Sequence, residues 1–181
     1  MPEHRNRERR PPLPLEPQRL EELALAYVAR FATSAAKVEQ YLVRKLRERG
    51  WAGEKPADPR GIVERFVELG YIDDAAWARA KSGSLLRRGY GTRRVDQTLG
   101  AAGISEDIRG EVRGGEAEQR HAAIALASRR RFGPWGAGAS DPAARQKQIA
   151  AMVRAGHGFD AARAVIDAAS VAEAEDWALE V

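Results

Sequence analysis

Two adjacent carboxylates, Asp73 and Asp74, open the segment GYIDDAAWARAKSGSLLRRGYGTRRVDQTLGAAGI. Paired carboxylates do general acid/base chemistry when a pocket and a proton-bearing partner accompany them. The sequence supplies neither. The same residues stand where a helix has to begin. There the side chain of Asp73 or Asp74 accepts orphan backbone N–H groups, and the other carboxylate favours the positive end of the helix dipole. His4, His121 and His157 share no metal-ligand spacing, and no carboxylates complete a set around them. No G-x-x-x-x-G-K-[ST], G-x-S-x-G or H-E-x-x-H pattern occurs. The expectation is therefore no catalytic residue, no metal and no cofactor.

The charge-bearing constellations are basic. Arg44-Lys45 comes with Arg47 and Arg49, Arg87-Arg88 precedes Arg93-Arg94, and Arg129-Arg130-Arg131 forms a third cluster. Such clusters are either a ladder of cations facing an acidic partner surface or DNA phosphates, or solvated helix faces with i,i+4 partners such as Glu48 to Arg44. The first cluster reads as plain surface, and the middle one suits both readings. Trp77, within an apolar helical face, reads as a core anchor. Trp135, in a Gly-Pro loop, is the tryptophan placed for an exposed stacking contact.

In the whole chain, 30 Lys+Arg stand against 26 Asp+Glu, a balance that permits nucleic-acid contact without demanding it. Nearly all the positive charge is arginine. That favours bidentate pairing with carboxylate or phosphate, although a coding-composition bias enriches Arg and Ala equally well. The absence of cysteine suits a reducing cytoplasm. No run of 18 or more apolar residues is present, so nothing is expected to span a membrane. The leader MPEHRNRERRPPLPLEP lacks a signal-peptide apolar core, and Glu3, Glu8 and Glu16 break a presequence pattern. Residues 1–19 read as a disordered, Arg/Pro-rich or polyproline-like tail.

From Leu20 the periodicity is helical. Leu20, Leu23, Ala24, Tyr27, Val28 and Phe31 share one face. Thr33-Ser34 caps a second helix with Val38, Tyr41, Leu42 and Leu46 inward, closed by Gly50 as a left-handed cap. Asp58-Pro59 starts a third, with Ile62, Val63, Phe66, Val67 and Leu69 inward. The order then recurs. A helix over 75–88 breaks at Gly89-Tyr90-Gly91. Thr92 caps a helix carrying Val95 and Leu99, and Ser105 caps a short one. A third round has a long helix over 116–131, a Gly-rich loop over 132–140, a helix from Asp141-Pro142 with Ile149, Met152 and Val153, and one opened by Asp160. VAEAEDWALEV ends the chain as an acidic amphipathic segment.

Aligning the rounds sets Leu42-x3-Leu46-x3-Gly50-Trp51 beside Val95-x3-Leu99-x3-Gly103-Ile104. Met152-x3-Gly156 keeps the frame in the third, with Phe159 in the part of Trp51 and Ile104 and His157-Gly158 as an insertion. The expected fold is all-α, an elongated tandem array of three three-helix repeats. Its boundaries are 1–19 tail, 20–72, 73–114 and 115–169 for the repeats, and 170–181 for the acidic end.

LALAYVARFATSAAKVEQYLVRKLRERG, GYIDDAAWA, RRGYGTRRVDQTLGAAGI and RQKQIAAMVRAGHGF together resemble the RecX family of regulatory proteins, over about Leu20 to Ala168. The most specific part is Asp73, Asp74 and Trp77 followed by the Gly89-Tyr90-Gly91 turn. The resemblance implies tandem three-helix repeats, no enzymatic activity, and binding to the RecA recombinase filament. It also implies that RecA's ATPase and strand exchange are modulated, most often inhibited, in recombination, DNA repair and the SOS response. Some members also contact DNA, single- or double-stranded. A cytoplasmic monomer without a membrane partner is the expectation. The candidate contact residues are Arg44, Lys45, Arg87, Arg88, Arg93, Arg94, Arg129, Arg130 and Arg131. The rival reading is a stand-alone helical DNA-binding protein, supported by short capped helices at helix-turn-helix-like spacing but lacking a recognition helix rich in Asn and Gln.

Overall fold

The computed structural model of the protein describes residues 13–136 and 141–180. Residues 1–12 of the expected tail, with Glu3, His4 and Glu8, lie outside the described residues, as do 137–140 of the Gly-rich loop and Val181. The described residues form ten α-helices, one short 3-10 turn and no strand. The chain divides into two compact units, the first ending at Asp73 and the second beginning at Asp74.

The first unit contains α1 (Pro17–Arg30), α2 (Ala35–Arg49) and α3 (Pro59–Glu68). Leu20 and Ala24 of α1, Val38 and Leu42 of α2, and Val63 and Phe66 of α3 close one apolar core. Each pair is spaced three or four residues apart, so each helix turns one narrow stripe inward. Asp58 caps α3: its Oδ1 accepts the N–H of Gly61 at 2.9 Å, and Pro59 occupies a position where its missing N–H costs nothing.

Order starts earlier than the periodicity indicates. α1 begins at Pro17, not Leu20, and Leu15 is fully buried. Leu15 forms a single parallel bridge with Trp51: its N–H donates to Gly50 O and its carbonyl accepts from Ala52 N, both at 2.9 Å. Gly50 closes α2 with positive φ (82°) but extended ψ (178°), not as a left-handed turn. Three residues expected inward are exposed, namely Phe31, Val67 and Leu69. Phe31 lies past the end of α1 in extended backbone, so the helical extrapolation no longer places it. Val67 and Leu69 lie on the last turn of α3 and just beyond it, outside the stripe set by Val63 and Phe66.

The second unit contains α4 (Asp74–Arg87), α5 (Thr92–Ala101), α6 (Glu106–Glu111), α7 (Glu116–Arg130), the 3-10 turn Gly133–Trp135, α8 (Pro142–Arg154), α9 (Phe159–Asp167) and α10 (Val171–Leu179). Asp74 lies in the first turn of α4, where its carboxylate meets the positive end of the helix. Ser105 Oγ accepts from Ile108 N, and both carboxylate oxygens of Asp141 accept from Ala143 and Ala144 N, as caps of α6 and α8. Thr92 is the first helical residue of α5, and Gly91 holds the cap position instead.

Two apolar clusters fill this unit. One joins Leu85 and Leu86 of α4, Val95 and Leu99 of α5, and Ile104, and is completed by Ala122 of α7. The other joins Ala123, Leu126 and Ala127 of α7 with Ile149 and Met152 of α8 and Val165 of α9. The alanines of α7 let neighbours approach from both sides.

Helices α3, α4, α5, α7 and α8 end in one repeated turn. Gly89 N donates to Leu86 O and Tyr90 N to Leu85 O; Gly103 and Ile104 repeat this on Gly100 and Leu99; Gly156 and His157 repeat it on Val153 and Met152. This is the Schellman pattern, and it delivers the residue after the left-handed position back onto its own helix. It corrects the alignment of the third round. His157 is the counterpart of Ile104 and is 4% exposed; Phe159 is 53% exposed, and no insertion is needed.

A cationic groove and its joint

The Tyr90 turn and the Gly156 turn meet main chain to main chain. Gly91 N–H donates to Ala155 O at 2.9 Å, and Arg93 N–H donates to Gly156 O at 3.2 Å. A Cβ on Gly91 would stand 2.2 Å from the Gly156 carbonyl carbon, and one on Gly89 would stand 2.7 Å from Leu126 N. The GYG sequence is therefore required by close approach. At Gly89 the positive φ (75°) adds a second demand.

His157 bolts the joint from inside. Its Nε2 lies 3.0 Å from Gly89 O, so Nε2–H is the donor. Burial holds this imidazole below its ordinary value of 6.5, against a smaller opposing pull from the Gly89 hydrogen bond. The unfolded chain then takes up a proton at a pH where the folded one does not. This contribution to stability is present above 6.5 and is lost as the pH falls below it. The urea midpoint of the second unit is expected to drop on the acidic side of that value, and His157→Gln is expected to flatten the slope. Urea titrations at a series of pH values check this.

Beside the joint lies a groove of about 370 Å³. Tyr90, Leu126, Phe132, Ala151 and Ala155 give it apolar walls; Arg94, Arg129, Arg130 and Arg154 surround it. Arg94 comes from the first turn of α5. The other three come from the last turns of α7 and α8, where cations meet the negative helix end. Among the described residues none of these four arginines is ion-paired; Arg94 donates to Gln97 Oε1 at 3.0 Å. The Arg88 guanidinium stands 5.6 Å from the centre of the Tyr90 ring. Planar guanidinium groups around an apolar floor suit an anion carried on a partly apolar ligand.

The sequence candidates thus separate. Arg94, Arg129 and Arg130 converge. Arg87 at the end of α4, Arg93 on α5 and Arg131 after α7 are exposed but do not line the groove. Arg154 was missed, because a single arginine in MVRAG carries no doublet to mark it; its place in a last helical turn before a glycine was the available signal. The first-unit cluster is different. Lys45 Nζ lies 2.6 Å and Arg44 Nε 3.6 Å from the Glu48 carboxylate, which the Lys45 hydrogen bond holds below its usual range. Arg49 Nε donates to Leu13 O, and Arg47 is exposed.

The tryptophans are packing residues. Trp135, expected to be exposed, is half-buried in the α7–α9 cluster, because the 3-10 turn folds it back. Trp77 packs on the α4–α6 cluster, Trp51 Nε1 donates to Lys55 O, and Trp177 lies under the Arg120 guanidinium. The aromatic side chains at the groove are Tyr90 and Phe132. His121 is exposed, with Nδ1 2.7 Å from Ala117 O. Among the described residues no group of three His, Asp or Glu is placed to hold a metal, and no helix is long and apolar enough to cross a membrane.

No protein-family model matches the chain. Regulatory protein RecX of Myxococcus xanthus is 30% identical over 177 residues, covering 90% of this chain and 93% of its own length. Regulatory protein RecX of Deinococcus radiodurans is 37% identical over 125 residues, covering 67% of this chain and 58% of its own. The crystal structure of RecX from Lactobacillus salivarius superposes with a TM-score of 0.64 at 17% identity, covering 83% of this chain and 94% of that one, which shows a shared fold. With a relative at this identity aligned over nearly the full length of both chains, the protein belongs to the RecX family of regulatory proteins.

Proposed function

We propose that this protein binds the RecA recombinase filament in the cytoplasm and lowers its ATPase and strand-exchange activity, using the groove between α5, α7 and α8 as a principal contact. The observation that carries the proposal is the convergence of four arginines without carboxylate partners around Tyr90. Elsewhere in the described chain arginines are commonly neutralised, as Arg60 is by Glu64 and Arg145 by Asp167. Unpaired cations held side by side repel one another, and an anionic partner relieves that repulsion. We also read the helices as three three-helix units, α1–α3, α4–α6 and α7–α9, followed by α10; one apolar cluster per group supports this reading.

The direct test is ATP hydrolysis by RecA on single-stranded DNA with this protein added below stoichiometry. A clear fall in rate is expected. No change, together with no anisotropy signal from labelled protein titrated with the filament, would remove RecA as the partner. The same arginines fit DNA phosphates, which supports a second reading as a DNA-binding protein. That reading requires tight binding to naked duplex with a steep salt dependence.

A further inference from the structure

The chain carries a surface that complements the groove. On α10 the exposed residues Glu175, Asp176 and Leu179 fall within one arc of the helix, with Leu179 between the two carboxylates, and the exposed C-cap Glu180 follows it. Leu179 is 70% exposed. None of the three carboxylates is ion-paired among the described residues. An apolar side chain flanked by carboxylates without ion-pair partners complements apolar walls flanked by guanidiniums without them.

This face does not reach the groove of its own chain. Ala174 and Ala178 bury α10 against α7 and α9, and Arg120 Nη1 donates to Trp177 O at 2.6 Å. Arg120 and the groove arginines Arg129 and Arg130 lie at opposite ends of α7, about 15 Å apart along its axis. Swinging α10 across that distance would strip cover from α7 and α9. We propose that the groove receives the acidic end of α10 from a second copy of this chain, with Leu179 on the floor near Leu126 and Phe132 and the carboxylates on the arginines. The contact joins two different patches, so it is heterologous and propagates head to tail. It occupies the proposed partner site. Its regulatory consequence rests on that assignment: the assembled form is the inactive store, and dilution or salt releases the active protein. The self-contact itself does not depend on RecA.

Sedimentation velocity over a concentration series, with the full chain alone, tests it. The weight-average mass is expected to rise with concentration at low salt and to return to the monomer value at high salt. Two double variants sharpen the test: Arg129→Glu with Arg130→Glu in the groove, and Glu175→Arg with Asp176→Arg on the helix. Each alone is expected to be monomeric, and their equimolar mixture is expected to associate again. A wild-type chain that stays monomeric at low salt, variants that associate as the wild type does, or a mixture that stays monomeric would each overturn the proposal. Because no RecA or DNA is present, these outcomes are independent of the ATPase result.

Discussion

Alanine in place of Gly91 is expected to lower the melting temperature of the second unit by roughly 10 °C or more. The reason is steric before it is conformational. Gly91 has an ordinary φ of −78°, which alanine adopts freely. The added methyl, however, would stand 2.2 Å from the Gly156 carbonyl carbon and 2.3 Å from His157 N. These are main-chain atoms, with no rotamer to yield. The two turns must separate, which breaks the Gly91–Ala155 and Arg93–Gly156 hydrogen bonds and pulls His157 from Gly89. Overpacking plus two lost hydrogen bonds amounts to about 3 kcal/mol. Gly110→Ala is the matched control. A Cβ there meets nothing within 4 Å, and the change is expected to be neutral or slightly stabilising. Thermal unfolding followed by circular dichroism, run on both variants, decides the matter. Equal melting temperatures would mean the joint is looser than its geometry indicates.

The second large effect is on binding. Reversing Arg129 and Arg130 together to glutamate is expected to weaken binding to the RecA filament at least about tenfold, and to raise the concentration needed for half-inhibition of the ATPase by a similar factor. Both arginines lie in the last turn of α7 without a carboxylate partner, so reversal removes two attractions to an anionic partner, adds two repulsions toward it and sets carboxylates beside Arg94 and Arg154 that offset their charge. Reversing Arg44 should cost less than about threefold, because Glu48 already offsets the charge there and the site is solvated. Filament titrations with the three proteins compare the two clusters directly. If the Arg44 variant loses as much as the groove variant, the contact surface has been misassigned.

The helices were legible in the sequence where their signals are local. Asp58-Pro59, Ser105 and Asp141-Pro142 each fix a helix start through atoms within three residues, and the structure places caps there. Apolar spacing found the inward stripes of α2, α5 and α8 for the same reason. It failed at Phe31, Val67 and Leu69, because periodicity does not report where a helix ends or how narrow its buried stripe is. The groove was only half legible. Arginine doublets drew attention to Arg94, Arg129 and Arg130, but their meeting depends on two turns 65 residues apart approaching through glycine, which no local pattern encodes. Arg154 and His157 acquire their roles only from that approach. His157 looked like an inserted polar residue because its partner, the Gly89 carbonyl, is supplied by another turn.

The joint at Gly89, Gly91 and Gly156 also bears on how freely this protein can drift in sequence. Its hydrogen bonds run largely between main-chain atoms, which every residue type possesses except for the proline N–H. Substitutions across the surface, and many volume-preserving exchanges in the apolar clusters, leave those atoms in place. Tolerance to mutation is therefore unevenly spread. It is broad over the helices and narrow at close-packed glycines such as these three, where a single added carbon is the disruptive change.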